Sequence, residues 1–303
     1  MNITKLEQMY DVLRGAEKKK LVAVWANDSH TIEAVSEAID LGIVEGTLVG
    51  DIVEIEKVCK NLSIDSSKFK IVDCKSDNQA GDLAVKLVID GEGDILMKGL
   101  LSTDKYMRAI LNKEAGLLPP KAVLSHVTVI ENVHYHKLLV VGDVAIIPEP
   151  DLKQKIAIAN YLIQTAKALG MEKPKLSLIS ASEQVLPTVQ SSVDACIISK
   201  MGDRGQIKGA IIDGPLSLDA SIDAETAKTK GITSPVAGDA DCLLFPNLDA
   251  GNVFYKMNSK MSEAEMGAFV AGAKVPCVLS SRGDTTKTKL NSIALCAMLA
   301  LSK

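Results

Sequence analysis

The sequence predicts an α/β protein of two domains, one inserted into the other. Three observations predict it. Short runs of Val, Ile and Leu alternate with helical patterns at regular intervals, which is how parallel βαβ units read. Hydrophobic residues make up 47% of the chain but aromatic ones only 3%. The core is therefore aliphatic, as buried parallel sheets and their helices prefer. At 303 residues the chain is long for a single core, and two are the better expectation.

Apolar residues recur at helical spacing from Leu6 to Leu13, and Gly15 ends that helix. Lys18–Lys20 reads as a solvated loop and Leu21–Trp25 as a strand. Asn27-Asp-Ser29 supplies N-cap chemistry for a helix over Ile32–Leu41, which Gly42 stops. Strands then follow at Gly46–Val49, Phe69–Asp73 and Asp94–Met97, with helices at Ile52–Cys59, Gly81–Ile89 and Lys105–Asn112. Asp104 is the expected cap of the last of these helices.

Leu117-Leu-Pro-Pro-Lys121 breaks the pattern, because its prolines disfavour helix. Val123–Ile130, Lys137–Val141 and Val144–Ile147 are then three strand-like runs with no helix between them. They predict an antiparallel or mixed part of a second sheet. A helix over Leu152–Leu169 follows, then strands at Leu176–Ile179, Ala210–Ile212 and Cys242–Phe245. Helices are expected at Val189–Ser199, Asp223–Lys230 and Gly251–Asn258. Met261–Ala273 reads as helical or irregular, Val275–Leu279 as a strand, and the remainder as a C-terminal helix. The expected domains are 1–120 with 270–303, and an inserted 121–269. The default ligand site is the cleft between them.

Composition removes several classes of function. A net charge of −4 leaves no basic footprint for nucleic acid. No apolar run approaches the ~20 residues of a membrane helix. No signal peptide is evident. Six scattered cysteines without a CxxC pair fit reduced thiols in the cytoplasm. His134-Tyr-His136 lacks a third ligand at useful spacing, so no metal is expected. The Gly-rich signatures of dinucleotide and P-loop sites, and the esterase elbow, are absent.

Val275–Lys287 concentrates the chemistry. A buried strand stops on Ser280-Ser-Arg-Gly-Asp284 and opens a helix. Ligands bind at the carboxyl ends of strands in open α/β sheets, and helix N-termini favour anions. Arg282 adds a planar, fixed cation. Read alone, the stretch is either an anion site, phosphate above all, or a βα turn with a solvated arginine. The 34 basic residues include only four arginines, Arg14, Arg108, Arg204 and Arg282, so lysine carries the general surface charge.

Lys98-Gly-Leu-Leu-Ser-Thr-Asp104 is a second strand end of this kind, with Ser102, Thr103 and Lys98 as anion partners and Arg108 one turn into its helix. The same residues also fit an ordinary βα loop. Asp213-Gly-Pro-Leu-Ser-Leu-Asp219 reads as a kinked turn, with Asp219 as an N-cap in its structural reading. Ala250-Gly251 admits a close ligand, and Asn252 can donate to it or accept from it. Cys277 is a buried free thiol, with no histidine near it in sequence.

Together these runs resemble the phosphate acyltransferases, the group of phosphotransacetylases and phosphate butyryltransferases. The resemblance rests on Met97-Lys-Gly with Ser102-Thr103, Asp213-Gly-Pro-Leu216 with Asp219, Ser234-Pro-Val-Ala-Gly-Asp-Ala-Asp241, Pro246 with Ala250-Gly-Asn252 and Tyr255-Lys256, and Ser281-Arg-Gly-Asp284. They stand in family order over about two thirds of the chain. Their form is more similar to the butyryl and branched-chain branch.

The resemblance implies a three-layer α/β/α fold in two domains, like isocitrate and isopropylmalate dehydrogenases. It implies reversible transfer of a short acyl group between CoA and inorganic phosphate. Butanoyl-CoA is then the expected substrate; acetyl-CoA and a non-catalytic acyl-CoA-binding module are the alternatives. CoA enters as substrate, no cofactor or metal is implied, and the protein is expected as a cytoplasmic homodimer.

By resemblance Arg282 and Arg108 bind phosphate, and Ser281 hydrogen-bonds the carbonyl oxygen or the CoA sulfur. Lys98, Ser102, Thr103, Gly251 and Asn252 complete substrate binding. Acetyl-branch members carry a carboxylate base shortly after the arginine, where this chain has Lys287 and Thr288. Asp284 is the nearest carboxylate, as base or as helix cap.

Overall fold

The structure, a computed structural model, describes residues 2–280 and 284–302. The chain divides into two compact units: Leu6–Leu124 with Gly267–Lys303, here the outer unit, and Met1–Lys5 with Ser125–Met266, here the middle unit.

The outer unit begins with α1 (Gln8–Arg14), β1 (Lys19–Val24), α2 (Ser29–Asp40), β2 (Val44–Gly50), α3 (Ile52–Asn61), β3 (Lys70–Asp73), α4 (Asp77–Ile89), β4 (Ile95–Lys98) and α5 (Thr103–Leu111). β1 pairs in parallel with β2 on one side and β4 on the other, and β3 continues beyond β2. Helical connections therefore leave β1 in both directions, and the order reverses between β1 and β4. That is the topological switch point, where an open sheet gapes at its carboxyl end. Lys19 and Lys20 belong to β1, opposite Val44 and Glu45. The expected loop there is a strand, because the ladder needs only their backbone while their side chains stay at the rim.

The middle unit supplies β5 (Ser125–Glu131), β6 (Leu139–Gly142), α6 (Leu152–Ala168), β7 (Lys175–Ile179), α7 (Gln190–Asp203), β8 (Ile211–Leu216), α8 (Leu218–Ile222), α9 (Ala224–Thr229), β9 (Cys242–Leu244) and α10 (Leu248–Lys260). Its strands run in the order β5, β6, β9, β7, β8. β5 and β6 are antiparallel and the rest parallel. A mixed sheet is what the three strand-like runs predicted, but Val144–Ile147 is a turn. Asp143 Oδ1 accepts from the backbone N–H of Ala145 and Ile146 at 2.7 and 2.9 Å. That side chain folds the segment back and removes it from the ladder. One core cluster of this unit joins Val141, Leu243 and Phe245 to Phe254 of α10, with the two rings 5.2 Å apart.

β10 (Glu265–Ala271), β11 (Cys277–Val278) and α11 (Thr286–Leu301) close the chain. β11 pairs in parallel with β4 and antiparallel with β10. The stretch read as helical or irregular is thus a strand, buried along almost all its length. Gly267 explains both the misreading and the strand. A Cβ there would stand 3.0 Å from the Asn291 carbonyl oxygen, so glycine lets α11 lie this close without a shift.

Candidate active site

The carboxyl ends of β1, β4 and β11 meet at the switch point of the outer unit. β4 ends on Lys98-Gly99. The N–H groups of Gly99 and Leu100 donate to the carbonyls of Val24 and Trp25, each at 2.9 Å. A Cβ on Gly99 would lie 2.7 Å from both of those carbonyl oxygens. Glycine is therefore required for the β1 and β4 ends to close on each other. Lys98 is only 3% exposed and donates to the Gly99 carbonyl at 3.2 Å.

Two helix starts frame this end of the sheet. Asp28 caps α2, its Oδ1 accepting from Thr31 N–H at 2.9 Å. Ser102 caps α5, accepting from Lys105 N–H at 3.3 Å. The cap expected at Asp104 thus falls two residues earlier. The run Ser-Thr-Asp holds three capping residues in a row, and only the first has extended backbone. Thr103 opens the helix, and Asp104 in its first turn pairs with Arg108 at 2.7 Å. Arg108 is 77% exposed and borders a groove of about 770 Å³ between α4 and α5, with Asp77, Gly81, Leu101 and Lys105.

After β11 the chain reaches Ser280, which is buried. Ser281 and Arg282, the central pair expected from sequence, lie outside the described residues. Asp284 is described, half-buried, and does not cap α11. Thr285 does, its Oγ1 accepting from Thr288 N–H at 3.1 Å. The structure also brings in a residue that the sequence reading passed over. Lys289, in the first turns of α11, is 5% exposed and donates to Ser280 Oγ at 2.8 Å. Burial pulls its ammonium pKa down, and the carboxylates of Asp28 and Asp284 oppose that shift. Its sequence signal was a lysine on the apolar stripe of Ile293 and Ala297.

The middle unit uses Gly251 and Asn252 for its own packing. A Cβ on Gly251 would stand 2.2 Å from the Asp143 carbonyl oxygen, so the chain itself fills the space read as ligand access. Asn252 Nδ2 donates to the Val144 carbonyl at 3.0 Å. In the Gly238-Asp-Ala-Asp241 run, Asp239 takes up Lys137, Lys175 and His136 at 2.8, 2.6 and 2.8 Å. Although burial opposes it, these partners hold its carboxyl far below the usual range. His136 thereby has an acidic partner. Among the described residues no cluster of three or more metal-ligating side chains forms.

Asp219 does not cap α8. Ser217 precedes that helix, and Asp219 meets Lys230 at 3.0 Å, while Lys230 also holds Glu183 at 2.9 Å.

The outer unit thus holds one buried lysine at the end of β4, Lys98, and another in the first turns of α11, Lys289, with the starts of α2 and α5 at the same end of the sheet. The profile of the family described as "Phosphate acetyl/butaryl transferase" matches residues 5–88 and 78–297. The chain belongs to that family. It is 42% identical to a phosphate butyryltransferase of Clostridium acetobutylicum over 96% of each chain. It is 40% identical to a phosphate acetyltransferase of Thermotoga maritima over 97% of this chain and 99% of that one. Among solved structures, a branched-chain phosphotransacylase from Enterococcus faecalis superposes with a TM-score of 0.80 at 28% identity, covering 92% of this chain and 98% of the other. This family member is an acyltransferase with a mixed α/β fold.

Proposed function

We propose that the protein transfers a butanoyl or branched short-chain acyl group reversibly between CoA and inorganic phosphate. The observation that carries the reading on the structural side is a pair of buried lysines, Lys98 at the end of β4 and Lys289 in the first turns of α11, the helix that follows β11. Buried ammonium groups at a sheet's switch point suit a multiply charged anion. The phosphate butyryltransferase relative supports a four-carbon acyl group for this chain.

In the proposed reaction a phosphate oxygen attacks the thioester carbonyl carbon. The C–O bond forms, negative charge moves to the carbonyl oxygen, and collapse breaks the C–S bond. CoA leaves as thiolate and takes up a proton. Arg282 holds phosphate by a bidentate contact, and Arg108 joins it after exchanging Asp104 for the substrate. Ser281 donates to the developing oxyanion or to the sulfur. Lys98, Ser102 and Thr103 bind the anion at the start of α5, and Asp284 exchanges the thiol proton. Asn252, with its amide N–H₂ held by Val144 and Gly251 fixing the turn of α10, offers Oδ1 to substrate. Holding two substrates in one geometry supplies much of the rate. The same reading gives a cytoplasmic homodimer, which sedimentation equilibrium would check.

The experiment follows free thiol released from butanoyl-, isobutanoyl- and acetyl-CoA, each with and without phosphate. Release that requires phosphate, with kcat/KM highest for the four-carbon substrates, is the expected result. Thiol release indifferent to phosphate would refute the reading. Highest kcat/KM for acetyl-CoA would favour the second reading, acetyl transfer, which the Thermotoga maritima relative motivates.

A further inference from the structure

α11 carries a lysine where its pattern asks for an apolar residue. Lys289 lies on the same stripe as Ile293 and Ala297, both fully buried. Its ammonium donates to one neutral hydroxyl, Ser280 Oγ. Among the described residues no carboxylate comes within ion-pair distance of it.

Lys155 shows what a structural buried lysine looks like in this same protein. It is 6% exposed and sits 2.7 Å from Asp194, itself 4% exposed. The charge at Lys155 is cancelled in place. At Lys289 only the more distant fields of Asp28 and Asp284 act. An ammonium buried against a single hydroxyl costs free energy that the fold alone does not recover. A bound anion would recover it.

Two further observations point to the same end of the sheet. Thr31 Oγ1, fully buried in the first turn of α2, has no hydrogen-bond partner among the described residues and can donate to an anion. It lies at the α2 start, and α2 packs along α11. Ser280 also directly precedes Ser281, with Arg282 one residue further on.

We propose that Lys289 is a substrate-binding residue: its ammonium, oriented by Ser280, is completed by an anionic oxygen of the phosphate that reacts. The inference rests on the acyl-transfer reading above and adds to it a cation that none of the recognised motifs contains. It also separates two sources of the same chemistry, free phosphate and the phosphate groups of CoA, in favour of the first.

The test measures KM for phosphate and for butanoyl-CoA separately in wild type, Lys289→Met, Lys289→Arg and Ser280→Ala. Lys289→Met is expected to raise KM for phosphate about tenfold or more, as for loss of one charged hydrogen bond. KM for butanoyl-CoA should stay within about twofold. Lys289→Arg should recover part of the loss, and Ser280→Ala should raise KM for phosphate by a smaller factor. A merely structural lysine would instead change kcat and both KM values together, and that outcome overturns the proposal. So does a rise confined to butanoyl-CoA, which would place the ammonium on CoA. If Lys289→Met fails to fold, Ser280→Ala decides, and an unchanged KM for phosphate overturns the proposal. A wild type without phosphate-dependent thiol release defeats the functional reading itself. An active wild type with unchanged phosphate KM in the folded variants defeats only this inference.

Discussion

Replacing Lys155 by methionine tests whether the two buried lysines differ as their surroundings say. Lys155 Nζ lies 2.7 Å from Asp194 Oδ2, with both side chains almost completely buried. Asp194 Oδ1 accepts from Gln190 Nε2 at 2.8 Å. Removing the lysine leaves a carboxylate in the middle unit with one amide donor and no counter-ion. Loss of one partner of such a pair costs about 3–5 kcal/mol. For a unit of this size each kcal/mol lowers Tm by about 2–4 °C, so the variant should melt roughly 6–20 °C below wild type. The double variant Lys155→Met/Asp194→Leu should recover most of that loss, because well-packed apolar replacements of a buried pair are close to neutral. Gln190 is exposed and turns to water. Lys289→Met should melt within a few degrees of wild type, since it removes a buried charge rather than orphaning one. Calorimetry on the four proteins decides the matter. A Lys155→Met protein melting with wild type, or a double variant no better than the single, would refute the reasoning.

Three other outcomes follow from the same structure. Gly251→Ala places a Cβ 2.2 Å from the Asp143 carbonyl oxygen; it should destabilise the middle unit by about 1–3 kcal/mol, read as a lower urea midpoint at unchanged slope. The carboxyls of Glu183 and Asp219 are held down to about 2, first by the Ser217 hydroxyl and then by Lys230. Folded values below the unfolded ones mean that this link stabilises above pH 4.5 and is lost as pH falls toward 2. Asp219 is more than half exposed, so solvent screening keeps its share small. Hydrogen exchange in Ser217–Lys230 should accelerate across that window, and an unchanged rate would remove the link. Arg282→Ala should lower kcat/KM by about 10²–10³, the scale for losing a preorganised charged donor. Near-wild-type activity would sink the role given to that arginine.

Much of the fold was legible because aliphatic periodicity and capping residues sit where backbone physics needs them. Asp28, in the run read as a cap, does cap α2, whereas Asn247 caps α10, which begins three residues before the start expected at Gly251. The errors share a cause, a specific contact overriding the local pattern. Asp143 captures two N–H groups and turns Val144–Ile147 out of the sheet. Glycine inside β10 mimics irregular chain, when its purpose is the close approach of Asn291.

The site was less legible than the fold. Lys98 and the Ser102–Thr103 turn are found at the switch point, but Lys289 was hidden, because a lysine in a sequence is read as solvated until its burial is seen. Gly251 reads in sequence as admitting a ligand, whereas in the structure the Asp143 backbone occupies that space. The roles of Ser281 and Arg282 rest on their place in the family's motif, outside the described residues.

In the proposed reaction phosphate, and not water or another acceptor, receives the acyl group. Phosphorus NMR of a reaction containing butanoyl-CoA, phosphate and enzyme tests it directly. A new acyl phosphate resonance should grow in step with free CoA thiol and disappear when excess CoA is added. Thiol release without that resonance would mean that the acyl group goes to an acceptor other than phosphate.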